Sequence, residues 1–308
     1  MRVFAPGKLV LTGAYAVLEG APAIVMATSR GVMADSARSA LTPSPEVRVA
    51  LGDVVAPHVD ASSLFVGARK LGLGASAAIL VASLGARDLE RGADLGDRRI
   101  RDALFSKARA AHAEAQGGGS GVDVAASVYG GVLRYTLSSV TPLSLPSDLR
   151  VSVFACAASA RTADLRGEVD RLAKGNASAY RACMGELVAI AHEAARAAGA
   201  DDCETFVDAV RRTARWLGRL GAAAGVGIVP SGFDALEELA LGEGGAFCVS
   251  GAGGGDVAYH LGGQAPSPRF LERAHALGLV PLDLSLDEKG VRTALMPTLY
   301  APVSLGVS

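Results

Sequence analysis

Lys70-Leu-Gly72-Leu-Gly74-Ala-Ser76-Ala-Ala-Ile79 is a glycine turn that leads without a break into an apolar segment. Ala75 to Leu84 is apolar almost throughout, the pattern of a helix buried on most sides. Glycines let backbone N–H groups approach phosphate oxygens closely, and the partial positive charge of a helix N-terminus favours that anion. Ser76 adds a hydroxyl. The same residues satisfy GxGxxA, so a dinucleotide-binding turn competes with a phosphate loop of another kind. The dinucleotide fingerprint needs a following strand that ends in an acidic residue. Here the apolar segment runs instead into charged, turn-like Gly85-Ala-Arg-Asp-Leu-Glu-Arg91-Gly-Ala-Asp94, which weakens that reading. A Walker A loop is ruled out, because the Gly-Lys pair Gly7-Lys8 is followed by leucine.

Upstream, Ala5-Pro-Gly-Lys8 enters an apolar strand, Lys8 to Thr12, followed by a turn at Glu19-Gly-Ala-Pro22 and a second β-rich run, Ala23 to Met26. Alternation persists weakly from Gly31 to Leu51, including Glu46-Val-Arg-Val-Ala-Leu51, and Ser63 to Val66 is a further strand candidate. Downstream, Asp97 to Gln116 carries Ile100, Leu104, Ala108 and Ala111 at helical spacing and stops at Gly117-Gly-Gly119. Ser120-Gly-Val-Asp123 opens a short helix, where an aspartate in the first turn also serves simply to complement the helix dipole. After Pro142 and Pro146, Arg150-Val-Ser-Val-Phe-Ala155 begins a new strand, which places a domain boundary near Leu149 and divides the chain into 1–148 and 149–308. Helical patterns over Leu165–Leu172, Ala179–Ala198, Cys203–Leu220 and Asp234–Leu241 alternate with strand candidates Ala246–Ser250 and Asp256–Leu261. This mixture indicates an α+β fold. Ser250-Gly-Ala-Gly-Gly-Gly-Asp256 joins the last two strands, and so dense a glycine crossing suggests that something lies against its backbone.

The 308 residues are 50% hydrophobic and 20% charged, enough to bury a sizeable core. Thirty basic against 31 acidic side chains give a formal charge of −1, which offers no global attraction to nucleic acid or an anionic membrane, so an anion site must be local. Cys156, Cys183, Cys203 and Cys248 form no CxxC pair and no metal-ligand spacing, as expected of reduced thiols in a cytoplasmic protein. The first residues lack the apolar core of a signal peptide, and no run approaches the ~20 apolar residues of a membrane span.

Taken in order, Ala5-Pro-Gly-Lys8 with Tyr15-Ala-Val-Leu-Glu-Gly20, Gly72-Leu-Gly-Ala-Ser-Ala-Ala78, Ser120-Gly-Val-Asp123 and Ser250-Gly-Ala-Gly-Gly-Gly-Asp256 resemble the GHMP kinase superfamily. The resemblance spans essentially the whole chain. It implies a ribosomal-S5-like N-terminal domain beside a ferredoxin-like C-terminal domain, with ATP and substrate in the cleft between them. Within the superfamily, Lys70-Leu-Gly-Leu-Gly74, Asp123-Val-Ala-Ala-Ser-Val-Tyr-Gly-Gly131, Ser159-Ala-Arg-Thr-Ala-Asp-Leu165 and Asp256 after three glycines look most like bacterial-type phosphomevalonate kinases. The activity so implied is transfer of the γ-phosphoryl group of ATP to 5-phosphomevalonate. Mevalonate kinase, a mevalonate diphosphate decarboxylase-like enzyme and a catalytically silent ATP-binding homologue are the alternatives.

The resemblance also implies roles. Lys8 would sit at the transferring group, with Asp123 beside it and the acceptor. Gly72, Leu73, Gly74, Ala75 and Ser76 would cradle the ATP phosphates, Ser76 being a candidate ligand of Mg2+. Two anions brought face to face need cations to hold them in line, so Arg69 or Lys70 is expected on the acceptor phosphate. Tyr15, Ser159, Arg161, Gly253, Gly254 and Asp256 are expected around the substrate. A phosphate acceptor is already largely ionised near pH 7, which favours orientation and electrostatics over general-base work for Asp123. The chain departs from the family pattern at Ala14, where a glutamate is usual, and at Ala75, where paired serines are usual. The expected partner is a small phosphorylated molecule, without nucleic acid or membrane, for a monomer or homodimer.

Overall fold

The computed structural model describes residues 1–66, 69–156 and 162–294. Its first half opens with a long hairpin of β1 (Arg2–Thr12) and β2 (Ala23–Ser39). Next come α1 (Pro45–Leu51), β3 (Pro57–Asp60), and a ribbon of β4 (Phe65–Val66) with β5 (Arg69–Lys70). Three helices follow, α2 (Ala75–Glu90), α3 (Arg98–Gln116) and α4 (Val122–Tyr129), then β6 (Val132–Tyr135) and β7 (Val140–Leu143). The second half holds β8 (Arg150–Ala155), α5 (Thr162–Gly175), α6 (Ala177–Gly199), α7 (Cys203–Ala224), α8 (Phe233–Gly242), β9 (Ala246–Val249), β10 (Val257–Gly262), α9 (Pro268–Ala276) and β11 (Val280–Leu282). A last strand, β12 (Arg292–Thr293), returns to the first half and pairs with β1.

The strands form two antiparallel sheets, β12-β1-β2-β6-β7 with β3 attached to β2, and β11-β8-β10-β9. Helices cover both, giving the α+β architecture expected from the sequence. One apolar cluster runs through the two sheets, from Leu9 and Val81 to Phe154 and Leu217. The sheets are also joined by directed bonds: Val10 N donates to Ser250 Oγ at 3.0 Å, Tyr15 Oη to Ala252 O at 2.9 Å, and Tyr259 Oη to Leu11 O.

Local chemistry explains where these elements begin. Ser44 accepts from Val47 N at 3.4 Å and Pro45 fills the first helical position, so the alternating Glu46–Leu51 run is helix α1 and not a strand. Asp97 caps α3 by accepting from Arg99 N at 2.7 Å. Helix α2 runs six residues beyond Leu84, through the charged stretch that reads as a turn in the sequence. At Gly85 the helix packs closely on β1, where a Cβ would be 3.2 Å from Val3 Cγ1. Among the described residues, no helix is long and apolar enough to cross a membrane.

His260 on β10 is only 2% exposed, and among the described residues neither of its ring nitrogens has a hydrogen-bond partner. It packs edge-on against Phe270, the ring centroids 5.0 Å apart. Burial pushes its pKa below the ordinary value, partly opposed by Glu243. The folded chain therefore holds this imidazole neutral, while the unfolded chain takes up a proton as the pH falls below about 6.5. The stability contributed by the neutral ring is complete above that pH and declines as the pH drops through the window beneath it. Urea midpoints measured from about pH 7.5 down to about pH 5 are expected to fall for the native chain and to fall less for His260→Phe. Equal slopes would assign the acid limit to other groups.

Candidate active site

The strand β1 delivers Lys8 to the loop that precedes α2. Both ends of the residue are fastened there, Lys8 N donating to Leu73 O at 2.9 Å and Lys8 Nζ to Gly72 O at 2.8 Å. Burial lowers the Lys8 pKa, while Asp123 and Asp256 act to raise it, so the two carboxylates are what favours charge on a desolvated ammonium. Gly74 begins α2 with φ +78° and no side-chain cap, leaving the first-turn N–H groups of the helix to a ligand or water. A Cβ at Gly74 would be 2.9 Å from Lys8 Cγ and 3.6 Å from Asp123 Cβ, so the stems of both side chains flank this one point. Only glycine meets the backbone and the space requirement together.

Lys8 and Asp123 line the same cavity of about 360 Å³. Its walls include Tyr15, His112, Arg166 and Ala252, so it draws on β1, α3, α4, α5 and the loop after β9. The cavity floor passes through the glycine run 117–121, which Tyr135 Oη fastens by donating to Ser120 O.

Other residues singled out in the sequence fall in different places. Tyr15 lines the cavity, with its backbone at φ +60° and its hydroxyl on Ala252 O. The loop residues Gly72, Leu73, Gly74, Ala75 and Ser76 lie behind the wall, touching Lys8 and His112 rather than lining the cavity themselves. Arg69 and Lys70 are on the β4–β5 ribbon and do not line it, and the Arg69 guanidinium donates to Cys156 O. The second-half glycine loop contributes Gly251 and Ala252. Gly253 and Gly254 instead pack on Ile228, Gly254 N donating to Ile228 O at 2.8 Å, and Asp256 lies against Gly72. Ser159 and Arg161 lie outside the described residues.

No family model matches the chain. It is 27% identical to the phosphomevalonate kinase of Streptomyces sp. (strain CL190), an alignment covering 93% of this chain and 97% of that relative. It is 30% identical to the mevalonate kinase of Methanothermobacter thermautotrophicus, but over 58% of this chain and 61% of that relative. The structure of Streptococcus pneumoniae phosphomevalonate kinase in complex with phosphomevalonate and AMPPNP superposes with a TM-score of 0.76 at 19% identity, covering 93% of this chain and 99% of that one. The chain has the fold of these kinases.

Two side chains that the sequence motifs do not include stand in the cavity wall, His112 and Arg166. His112 follows Ala108 by four residues on the buried face of α3, and a histidine on an otherwise apolar stripe was the available signal. Arg166 had none, because its place depends on how α5 packs over the glycine run. A Cβ at Gly118 would lie 3.3 Å from Arg166 Nη1.

Both departures from the GHMP pattern are also visible in the structure. Ala14 lines the cavity, adding a methyl group where a carboxylate is usual, and Ala75 follows Gly74 at the start of α2. Magnesium prefers oxygen ligands, usually one or two carboxylates together with substrate phosphates. Ser76 Oγ is instead surrounded by His112 Nε2 at 3.0 Å and Gln116 Nε2 at 3.3 Å. Among the described residues no group of three or more His, Cys, Asp or Glu could hold a metal ion. The side chains around Ser76 do not fit a protein-held magnesium.

Proposed function

We propose that the chain transfers the γ-phosphoryl group of ATP to 5-phosphomevalonate. The observation that carries this reading is the cavity in which Lys8 and Asp123 stand together beside the glycine loop, with a second cation, Arg166, in the opposite half of the chain. The kinases among its relatives support it. The halves 1–148 and 149–308 are proposed as the two lobes of the cleft, with nucleotide phosphates on the first turn of α2 and the acceptor in the cavity.

Phosphoryl transfer asks mainly for alignment and for cations aimed at charge that spreads over the transferring oxygens. We assign that task to Lys8, which is held by Gly72 O and whose charge Asp123 and Asp256 favour against the opposing effect of burial. The acceptor phosphate needs no base near pH 7, so Asp123 orients Lys8 rather than removing a proton. Arg166 has an i,i+4 contact to Asp170 at a long 3.9 Å, and its guanidinium fork suits a phosphate that the acceptor already carries.

A coupled ADP-release assay across mevalonate, phosphomevalonate, homoserine and galactose tests the reading. Turnover of phosphomevalonate alone is expected. Equal turnover of mevalonate would overturn the acceptor, and nucleotide binding without turnover of any acceptor would overturn the activity. Arg166→Gln is expected to raise the KM for phosphomevalonate about tenfold or more while the KM for ATP stays near its native value. Lys70→Ala, off the cavity, is expected to change neither. The reverse pattern would return the acceptor phosphate to the β4–β5 ribbon.

A further inference from the structure

Ser76 sits in the middle of a polar chain that reaches from α1 to α4. Gln116 Nε2 donates to Glu46 Oε1 at 2.8 Å and to Ser76 Oγ at 3.3 Å. Burial pushes the Glu46 carboxyl up, but hydrogen bonds from Gln116, its own backbone N–H and Ser44, with the charge of His112, outweigh this and hold it below the ordinary value. An ionised carboxylate accepts only, so the end of Gln116 that faces Glu46 is its NH2 group. On the other side, His112 Nε2 lies 3.0 Å from Ser76 Oγ and 3.7 Å from Asp123 Oδ2. A carboxylate facing that nitrogen favours the form of the ring with hydrogen on Nε2.

Gln116 and His112 then both donate to Ser76, and a hydroxyl oxygen has two lone pairs. Both are used. What the hydroxyl retains is its own O–H, at the open N-terminus of α2, where the unpaired N–H groups also point toward an acceptor. A metal ion would need one of the lone pairs that the two donors occupy.

We propose that Gln116 and His112 are positioning residues which turn Ser76 into a hydrogen-bond donor to a nucleotide phosphate oxygen and remove it from the ligands of magnesium, with Glu46 fixing the Gln116 amide. The proposal rests on the nucleotide reading above and deepens it. It differs from a purely structural role in one measurable respect, which is that the contribution of Ser76 does not depend on metal.

Calorimetric titration of AMPPNP into the full chain, once with Mg2+ and once in EDTA, separates the possibilities. Ser76→Ala is expected to weaken binding about tenfold in both conditions, the size of one hydrogen bond to a charged oxygen. Ser76→Thr, which keeps the hydroxyl, should bind nearly as the native chain does. His112→Ala should weaken binding severalfold, and adding it to Ser76→Ala should cost nothing further, since it acts through that hydroxyl. Should His112→Ala fail to fold, Gln116→Ala at the exposed end of the network carries the same test. A Ser76→Ala loss seen with Mg2+ and absent in EDTA would make Ser76 a metal ligand and overturn the proposal, as would fully additive losses in the double variant. Failure of the native chain to bind AMPPNP at all would overturn the nucleotide reading itself, and the proposal with it.

Discussion

Lys8→Ala is expected to lower kcat in the ADP-release assay about a hundredfold or more, while the Kd for AMPPNP moves by less than about tenfold. The separation follows from where the ammonium is. It is buried, bonded to Gly72 O and near two carboxylates that favour its charge against the desolvation, and in the proposed reaction that charge meets charge which appears only as the phosphoryl group moves. Ground-state nucleotide has the first-turn N–H groups of α2 to bind and loses less. Lys8→Arg should restore little, because a planar guanidinium fork does not reproduce the compact ammonium that donates to Gly72 O. A kcat within about threefold of native for Lys8→Ala would remove this residue from the chemistry.

The largest effect on stability is expected from Gly290→Ala. Gly290 has φ +68°, and a Cβ there would be 2.4 Å from Val128 O and 2.6 Å from Gly130 N. Gly130 faces it at φ +70°, so two backbones meet with no side chain between them. The seam is held by Asp287, whose carboxylate accepts from Gly290 N at 2.9 Å and pairs with Arg292 at 2.8 Å, and by Val291 N donating to Val128 O at 3.2 Å. Neither backbone can retreat without losing these bonds. The substitution is expected to cost about 3 kcal/mol or more, lowering Tm by roughly 5 to 10 °C in a thermal melt. A Tm within about 1 °C of native would show that the seam opens freely.

Legibility differed between local and distant features. The turn into α2 was readable because Gly72 and Gly74 stand immediately before an apolar run, and α3 because Asp97 and Gly117 mark its two ends. In Glu46–Leu51 the alternation of apolar and polar residues suggested a strand, and the Ser44-Pro45 start signal overrode it. The site followed the same division. Lys8 and Asp123 belong to compact motifs, and both line the cavity. Arg69 and Lys70 adjoin the glycine turn in sequence and stand on the short β4–β5 ribbon outside the cavity lining, whereas Arg166 reaches the cavity from α5. Adjacency along the chain gave no measure of distance across a helix packing that no short motif encodes.

The pairing of β12 with β1 has a consequence for how the chain comes off the ribosome. One edge of β1 finds β2 within the first 39 residues, but Val3 and Phe4 meet their other partners, Thr293 and Arg292, only when the chain has emerged as far as residue 293. At the usual pace of synthesis this interval is on the order of tens of seconds. Throughout it the start of the strand that carries Lys8 presents unpaired amides to its surroundings, an invitation to association between nascent chains. A translational pause after β2, or a chaperone that covers this edge, would therefore be expected to affect the yield of folded protein more than any property of the finished cleft.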